Sequence, residues 1–296
     1  MNYGRIVNRS FEIAWRYKSL WIFGLFASGG MGNFNFNVPT RDITDFSGGD
    51  FRFFDIPQEI YAMFMLSMVM VGLAFFVASI IAEAAVTDSV NRIERGGIYK
   101  FADAFSTAID FFWRLLGLAL VGIFGMIVPM FILALIAGIG FGIHTALGIL
   151  SLLVIIPAMI FWVFTVFNIL TLTQRVIIVR NTTIGNGLEE AYHLFKSRFS
   201  DLVVIFLIFI AFTIGFGIAS AIIWFMFGLP VAALGLAADL NPIAAFFGAL
   251  VAGLPISLVV GGFLGVFYNS LYTLTYFELV EPKQDAAAAT PATPSV

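Results

Sequence analysis

Ala104-Phe-Ser-Thr-Ala108-Ile-Asp-Phe-Phe-Trp-Arg114 runs into Leu115-Leu-Gly-Leu-Ala-Leu-Val-Gly-Ile-Phe-Gly-Met-Ile-Val, and no Asp, Glu, Lys or Arg then occurs until Arg175. The first part reads as an amphipathic helix. Phe101, Ala102, Phe105, Ala108, Ile109 and Phe112 recur at helical spacing, opposite Lys100, Asp103 and Asp110. The uncharged part reads as membrane-spanning, because about 20 apolar residues suffice to cross the bilayer hydrocarbon.

The same plan occurs twice more, at Phe11-Glu-Ile-Ala14-Trp15 and Leu188-Glu-Glu-Ala191-Tyr192. Aligned on the alanines, position −3 is Phe11, Phe105 and Leu188, position +1 is Trp15, Ile109 and Tyr192, and position +8 is Ile22, Leu116 and Phe199. The apolar stripes of these two segments are Ile6, Val7, Phe11, Ala14 and Trp15, then Ile184, Leu188, Ala191, Tyr192, Phe195 and Phe199. Such helices lie in the membrane interface, with aromatic residues at headgroup depth. Each unit is therefore expected as an amphipathic helix, a span, an outside loop and a returning span. Residues 1–280 form a single transmembrane domain with units of about 1–90, 91–180 and 181–280, and the low-complexity residues 281–296 form a disordered cytoplasmic tail.

Composition points the same way. Charged residues are 11% of the chain and hydrophobic residues 60%, with 35 phenylalanines, whereas about a quarter of a soluble chain is charged. The charge-free stretches supply six spans near 18–33, 58–86, 112–138, 146–174, 200–228 and 244–276. The first is the shortest, being densely apolar only over 20–27. A signal peptide would share its basic start and short apolar core, but Glu12 and the match to two internal segments favour a retained span. The fold class expected is an all-α polytopic membrane helix bundle. All of the 15 basic residues except Arg41 and Arg52 fall in 1–18, 92–114, 175–198 or at Lys283. That bias orients a multi-pass protein of the cell (inner) membrane with both termini in the cytoplasm. Of the outside loops, 34–57 is the only large one and is rich in Phe and Asp, 138–144 is a tight turn, and 230–241 is apolar enough to lie in the interface.

The inventory of reactive groups is thin. The chain has no cysteine, which excludes disulfides and thiolate chemistry. His144 and His193 fall on opposite sides of the membrane, and no His-Glu-x-x-His pattern occurs. Gly138, Gly140 and Gly142 lack dinucleotide-fingerprint spacing and read, with Gly261, Gly262 and Gly265, as close helix packing. Sequons at Asn8 and Asn181 fall on the cytoplasmic side and are discounted. No cofactor or metal site is expected, and the net charge of −3 gives no footing for nucleic acid. The better lead is polar residues inside spans, which are costly in lipid and face the bundle interior. These are Glu83, Asn168 and Asn269, with Thr171, Thr173 and Gln174 after the second and Ser270, Thr273 and Thr275 after the third. They suit either a polar path for a substrate or lipid headgroup, or hydrogen-bond glue between helices. Pro157 and Pro255 either kink returning spans to open a cavity or are simply tolerated there.

Phe11-Glu-Ile-Ala-Trp-Arg-Tyr-Lys-Ser-Leu-Trp-Ile-Phe-Gly-Leu25, Ala104-Phe-Ser-Thr-Ala-Ile-Asp-Phe-Phe-Trp-Arg-Leu-Leu-Gly-Leu118 and Gly187-Leu-Glu-Glu-Ala-Tyr-His-Leu-Phe-Lys196 together resemble the prokaryotic polytopic membrane domain found beside glycerophosphodiester phosphodiesterases, and related membrane domains of unknown function. The resemblance covers nearly the whole chain to about residue 280. It implies a membrane bundle and brings no catalytic residues, since in that group the phosphodiesterase activity resides in a separate soluble barrel. The expected function is a non-enzymatic, membrane-embedded binding or scaffold module with a cytoplasmic ring of amphipathic helices. Its partners would be membrane lipids and a membrane or cytoplasmic protein. The alternative is a transporter or lipid-handling protein with a polar path between helices. An intramembrane enzyme comes third, for want of a nucleophile–base pair.

Overall fold

The computed structural model describes residues 1–27, 58–97, 99–237 and 242–280. They form eight helices: α1 (Tyr3–Arg16), α2 (Leu20–Ala27), α3 (Gln58–Glu94), α4 (Phe101–Ile143), α5 (Thr145–Arg180), α6 (Ile184–Ser197), α7 (Phe199–Ala237) and α8 (Pro242–Val280). No strand occurs among the described residues. Helices α3, α4, α5, α7 and α8 are each long and apolar enough to cross a membrane, so the chain is an all-α polytopic membrane bundle. The expected first span is a shorter matter: α2 has 8 residues, and its continuation over 28–33 lies outside the described residues. The expected loop 34–57 and tail 281–296 lie outside them too.

Helix ends follow local chemistry. The Asn2 side chain caps α1 by accepting from the Arg5 backbone N–H at 3.1 Å. Helix α3 stops where Gly96 turns left-handed at φ 74°, letting the Gly97 N–H reach back to the Arg92 carbonyl at 2.9 Å. Asn181 ends α5 in the same left-handed region, at φ 51°. His144 separates α4 from α5, its Nδ1 accepting from the Ala146 N–H at 3.1 Å. The turn expected over 138–144 is thus reduced to one residue, with α4 helical to Ile143. The loop expected over 230–241 is helical as far as Ala237. Pro129, Pro157, Pro230 and Pro255 all lie within helices, where lipid-embedded helices accommodate them.

The second amphipathic segment is not a separate helix. Residues 101–114 are the opening turns of α4, which has 43 residues and is about 65 Å long at 1.5 Å per residue. A bilayer hydrocarbon core is only about 30 Å thick, so α4 outruns it and its opening turns can lie in the interface. They join α1, α6 and the ends of α3, α5 and α8 in a juxtamembrane layer at the proximal end of the bundle. In that layer α1 packs on α8 and α6 on α5, while α4 lies along α3. Ala14, Ala108 and Ala191 are each fully buried, and so are the small residues four positions earlier, Ser10, Ala104 and Gly187. The neighbours Trp15, Ile109 and Tyr192 are exposed instead, Trp15 at 59%. The sequence stripe thus divides: the central alanine and the small residue four before it face protein, while the residue after the alanine faces outward.

Packing is dense at this end and sparse at the other. Ala84, Ala85, Val86, Val90, Phe267 and Leu271 are wholly enclosed. Beyond it, α4 pairs with α5 and α7 with α8, and their remaining faces present Phe124, Phe131, Leu153 and Phe225 outward, as lipid-facing helices do. Helix α8 is the most enclosed of the five. It makes a close crossing with α2, in which Gly24 meets Gly262 and Gly265 backbone to backbone. That meets the close-packing expectation for the 261–265 glycines. Gly138 and Gly142 instead face open space, and only Gly140 sits against Gly148.

Candidate functional site

The returning helices α3, α5 and α8 meet one another at the centre of the proximal half. Period 3.6 brings Asn168, Leu172 and Arg175 to one side of α5, and Gly265, Asn269 and Tyr272 to one side of α8. Arg175 is the organising residue. It is 4% exposed, although by sequence it counts among the cytoplasmic charges. Arg175 lies inside the bundle, because α5 continues to Arg180 and turns this position inward.

Its guanidinium is a branch point. Nη1 donates to Gln174 Oε1 at 2.7 Å and to the Thr171 carbonyl at 3.1 Å, and Nη2 donates to Asn269 Oδ1 at 2.9 Å. Gln174 Nε2 in turn donates to Glu83 Oε2 at 2.9 Å. Asn269 completes its amide by donating to the Gly265 carbonyl at 3.0 Å. The Tyr272 ring lies under the guanidinium, 5.9 Å from its carbon, a cation–π contact made stronger by exclusion of water. Side chains of three helices are thereby linked, Glu83 from α3, Gln174 and Arg175 from α5 and Asn269 from α8, with the Glu83 carboxylate and the Arg175 cation joined through an amide instead of touching.

Glu83 and Asn269, two of the three candidates read from sequence, belong to this hub. Asn168 does not. It is buried and donates to the Phe164 carbonyl of its own helix at 2.8 Å, leaving Oδ1 without a partner. Ser270 Oγ, Tyr272 Oη and Arg175 Nε are also buried without one. Thr173, Thr273 and Thr275 each bond back to a carbonyl four residues earlier, a local arrangement that needs no partner helix. Gln174, already marked in the sequence after Asn168, joins the hub, and Arg175 was within reach of the same reasoning. Both sit at the border of the longest uncharged stretch, where a charge still on the inward stripe of the helix reads equally well as the first residue outside.

A second set of polar contacts ties the juxtamembrane layer together. Tyr3 Oη donates to Asp201 at 2.6 Å, Arg5 pairs with Glu278 at 3.4 Å, and Arg9 bridges Glu94 at 2.7 Å and Glu12 at 2.8 Å. Thus α1 is clasped to α3, α7 and α8 at once. The hydrogen bonds to Glu94 and Glu12 hold the Arg9 pKa above its ordinary value, and the bond to Asp201 raises that of Tyr3. Arg180 reaches Glu190 at 2.9 Å, and Arg114 donates to Asn181 Oδ1 at 2.6 Å. His193 is exposed on α6, and its ring contact is with Tyr192.

Comparison with known proteins matches no family model, no curated protein and no solved structure.

Proposed function

We propose that this chain is a non-enzymatic, membrane-embedded scaffold or binding module. It is built from three tandem units, each with an amphipathic segment at the cytoplasmic face. Read with the six spans expected from the sequence, both termini lie in the cytoplasm, and the resemblance to the phosphodiesterase-associated membrane domain accords with this architecture. The observation that carries the reading is the Glu83–Gln174–Arg175–Asn269 hub. Its polar groups are engaged with one another across α3, α5 and α8, which suits a lock more than a lining. The exposed Trp15, Ile109 and Tyr192 then anchor the layer at headgroup depth. The alternative, a lipid-handling path, draws on the unpartnered Asn168 Oδ1, Ser270 Oγ and Tyr272 Oη.

Reconstitution into liposomes separates the two. A scaffold moves a fluorescent phospholipid analogue across the bilayer no faster than protein-free vesicles do. Flux that depends on the wild-type chain and disappears in Asn168→Leu, a change outside the hub, would establish the path instead. Topology is checked in the same vesicles: single cysteines at Asp103→Cys and Glu189→Cys should react from the same side, the cytoplasmic one.

A further inference from the structure

Two segments far apart in sequence meet at the edge of the juxtamembrane layer. Tyr17, between α1 and α2, packs edge-on against Tyr99, between α3 and α4, with ring centroids 6.1 Å apart. Just inside, Phe23 stacks on Phe101 at 4.4 Å and on Phe105 at 6.5 Å. These contacts bring residues 16–20 beside residues 99–101, which follow the end of α3 at 95–97. Between them they carry Arg16, Lys18, Arg95 and Lys100 and no acidic residue.

The cations are left available. Lys18, Arg95 and Lys100 are exposed and form no ion pair among the described residues, whereas Arg5, Arg9, Arg92, Arg180 and Arg198 each meet a carboxylate. Among the described residues Arg16 has only Glu12, at 4.0 Å. Of the nearby acids, Glu94 is occupied by Arg9, and Asp103 is two residues beyond the segment, on the first turn of α4. The rings of Phe101 and Phe105 beside them are exposed. A cluster of unneutralised cations beside such rings matches a phosphate at the headgroup level, and each basic side chain there contributes about 1 kcal/mol toward an anionic leaflet, about a fivefold preference.

We infer that the notch where Tyr17 meets Tyr99 is a binding site for the headgroup of an anionic phospholipid, with Lys18, Arg95 and Lys100 meeting the phosphate and Phe101 and Phe105 lying along the upper acyl chains. The inference rests on the reading of the chain as a membrane-embedded binding module, and it supplies that module with a ligand class.

The test uses the full chain in detergent micelles doped with phosphatidylglycerol or phosphatidylcholine, followed by thermal unfolding and by native mass spectrometry of retained lipid. Phosphatidylglycerol should raise Tm and be retained in preference to phosphatidylcholine. Lys18→Gln/Arg95→Gln/Lys100→Gln should lower that preference by more than about tenfold, while Lys196→Gln, on the distant α6, keeps it. The inference fails if wild type shows no such preference, if the triple variant keeps it, or if Lys196→Gln loses it equally. It fails too if inorganic phosphate or an acidic peptide stabilises the chain as well as the lipid does, which would make the notch a site for a soluble anion or a protein. A wild-type chain that moves lipid across liposomes would overturn the scaffold reading and leave these binding measurements unaffected, so the two failures are distinguishable.

Discussion

Two arginines meet glutamates of the same helix, α3, under opposite conditions. Arg9 lies on the surface and touches Glu94 directly at 2.7 Å, its side chain 37% exposed. Arg175 lies in the bundle and reaches Glu83 only through the Gln174 amide. Water compensates Arg9 when its partner is lost, whereas nothing but neighbouring side chains compensates Arg175. The direct contact is therefore the weaker one in its effect on stability, and the indirect one holds three helices in register. Surface ion pairs are worth about 0–1 kcal/mol, while removing one partner from a buried charged set costs about 3–5 kcal/mol.

The largest expected effect breaks the hub. Glu83→Leu strands the Arg175 cation and should cost about 3–5 kcal/mol, read as a fall in the midpoint of denaturant unfolding in micelles. Glu83→Leu/Arg175→Met should recover most of the loss, because an apolar set of similar volume replaces the charges. No recovery in the double variant would mean that the two residues act independently.

A middling effect lies at the clasp. Tyr3→Phe removes the hydrogen bond to Asp201 and should cost about 1 kcal/mol near neutral pH. Since the fold raises the Tyr3 pKa, this stabilisation is fully present below the unfolded phenol value of about 10 and is lost as pH rises through the higher folded value. Unfolding midpoints of wild type and variant should therefore converge in strong alkali and differ at pH 7. Parallel curves throughout would count against the bond.

Smallest is Arg9→Ala, which should lower stability by less than about 1 kcal/mol, with the loss shrinking as salt is added. A large, salt-independent loss would place Arg9 energetically with Arg175 and erase the contrast between the two glutamates of α3.

Much of this arrangement is legible in the chain itself. Uncharged stretches flanked by Arg114, Arg175 and Arg180 mark long apolar helices, because lipid forbids unpaired charge and demands internally satisfied backbone. The small-residue positions also follow from periodicity: Ala14, Ala108 and Ala191 stand out as the common element of three segments and all prove buried. Other features were hidden. The position of α4's first turns as a continuation of a span, the helical state of 230–237, and the one-residue turn at His144 depend on where helices stop, which hydropathy leaves open. Glu83 and Asn269 could be marked as costly groups, but not as members of one hub.

Residue order alone determined that this protein is an all-α membrane bundle, since hydrophobic length and the absence of charge act locally along each segment. Only the tertiary structure decided which polar residues are partners. Arg175, Glu83 and Asn269 lie on three different helices, and Lys18 and Lys100 on segments joined by ring contacts. Whether a charge is locked inside or offered to a headgroup depends on what folds beside it, and that is a property of distance in space, not along the chain.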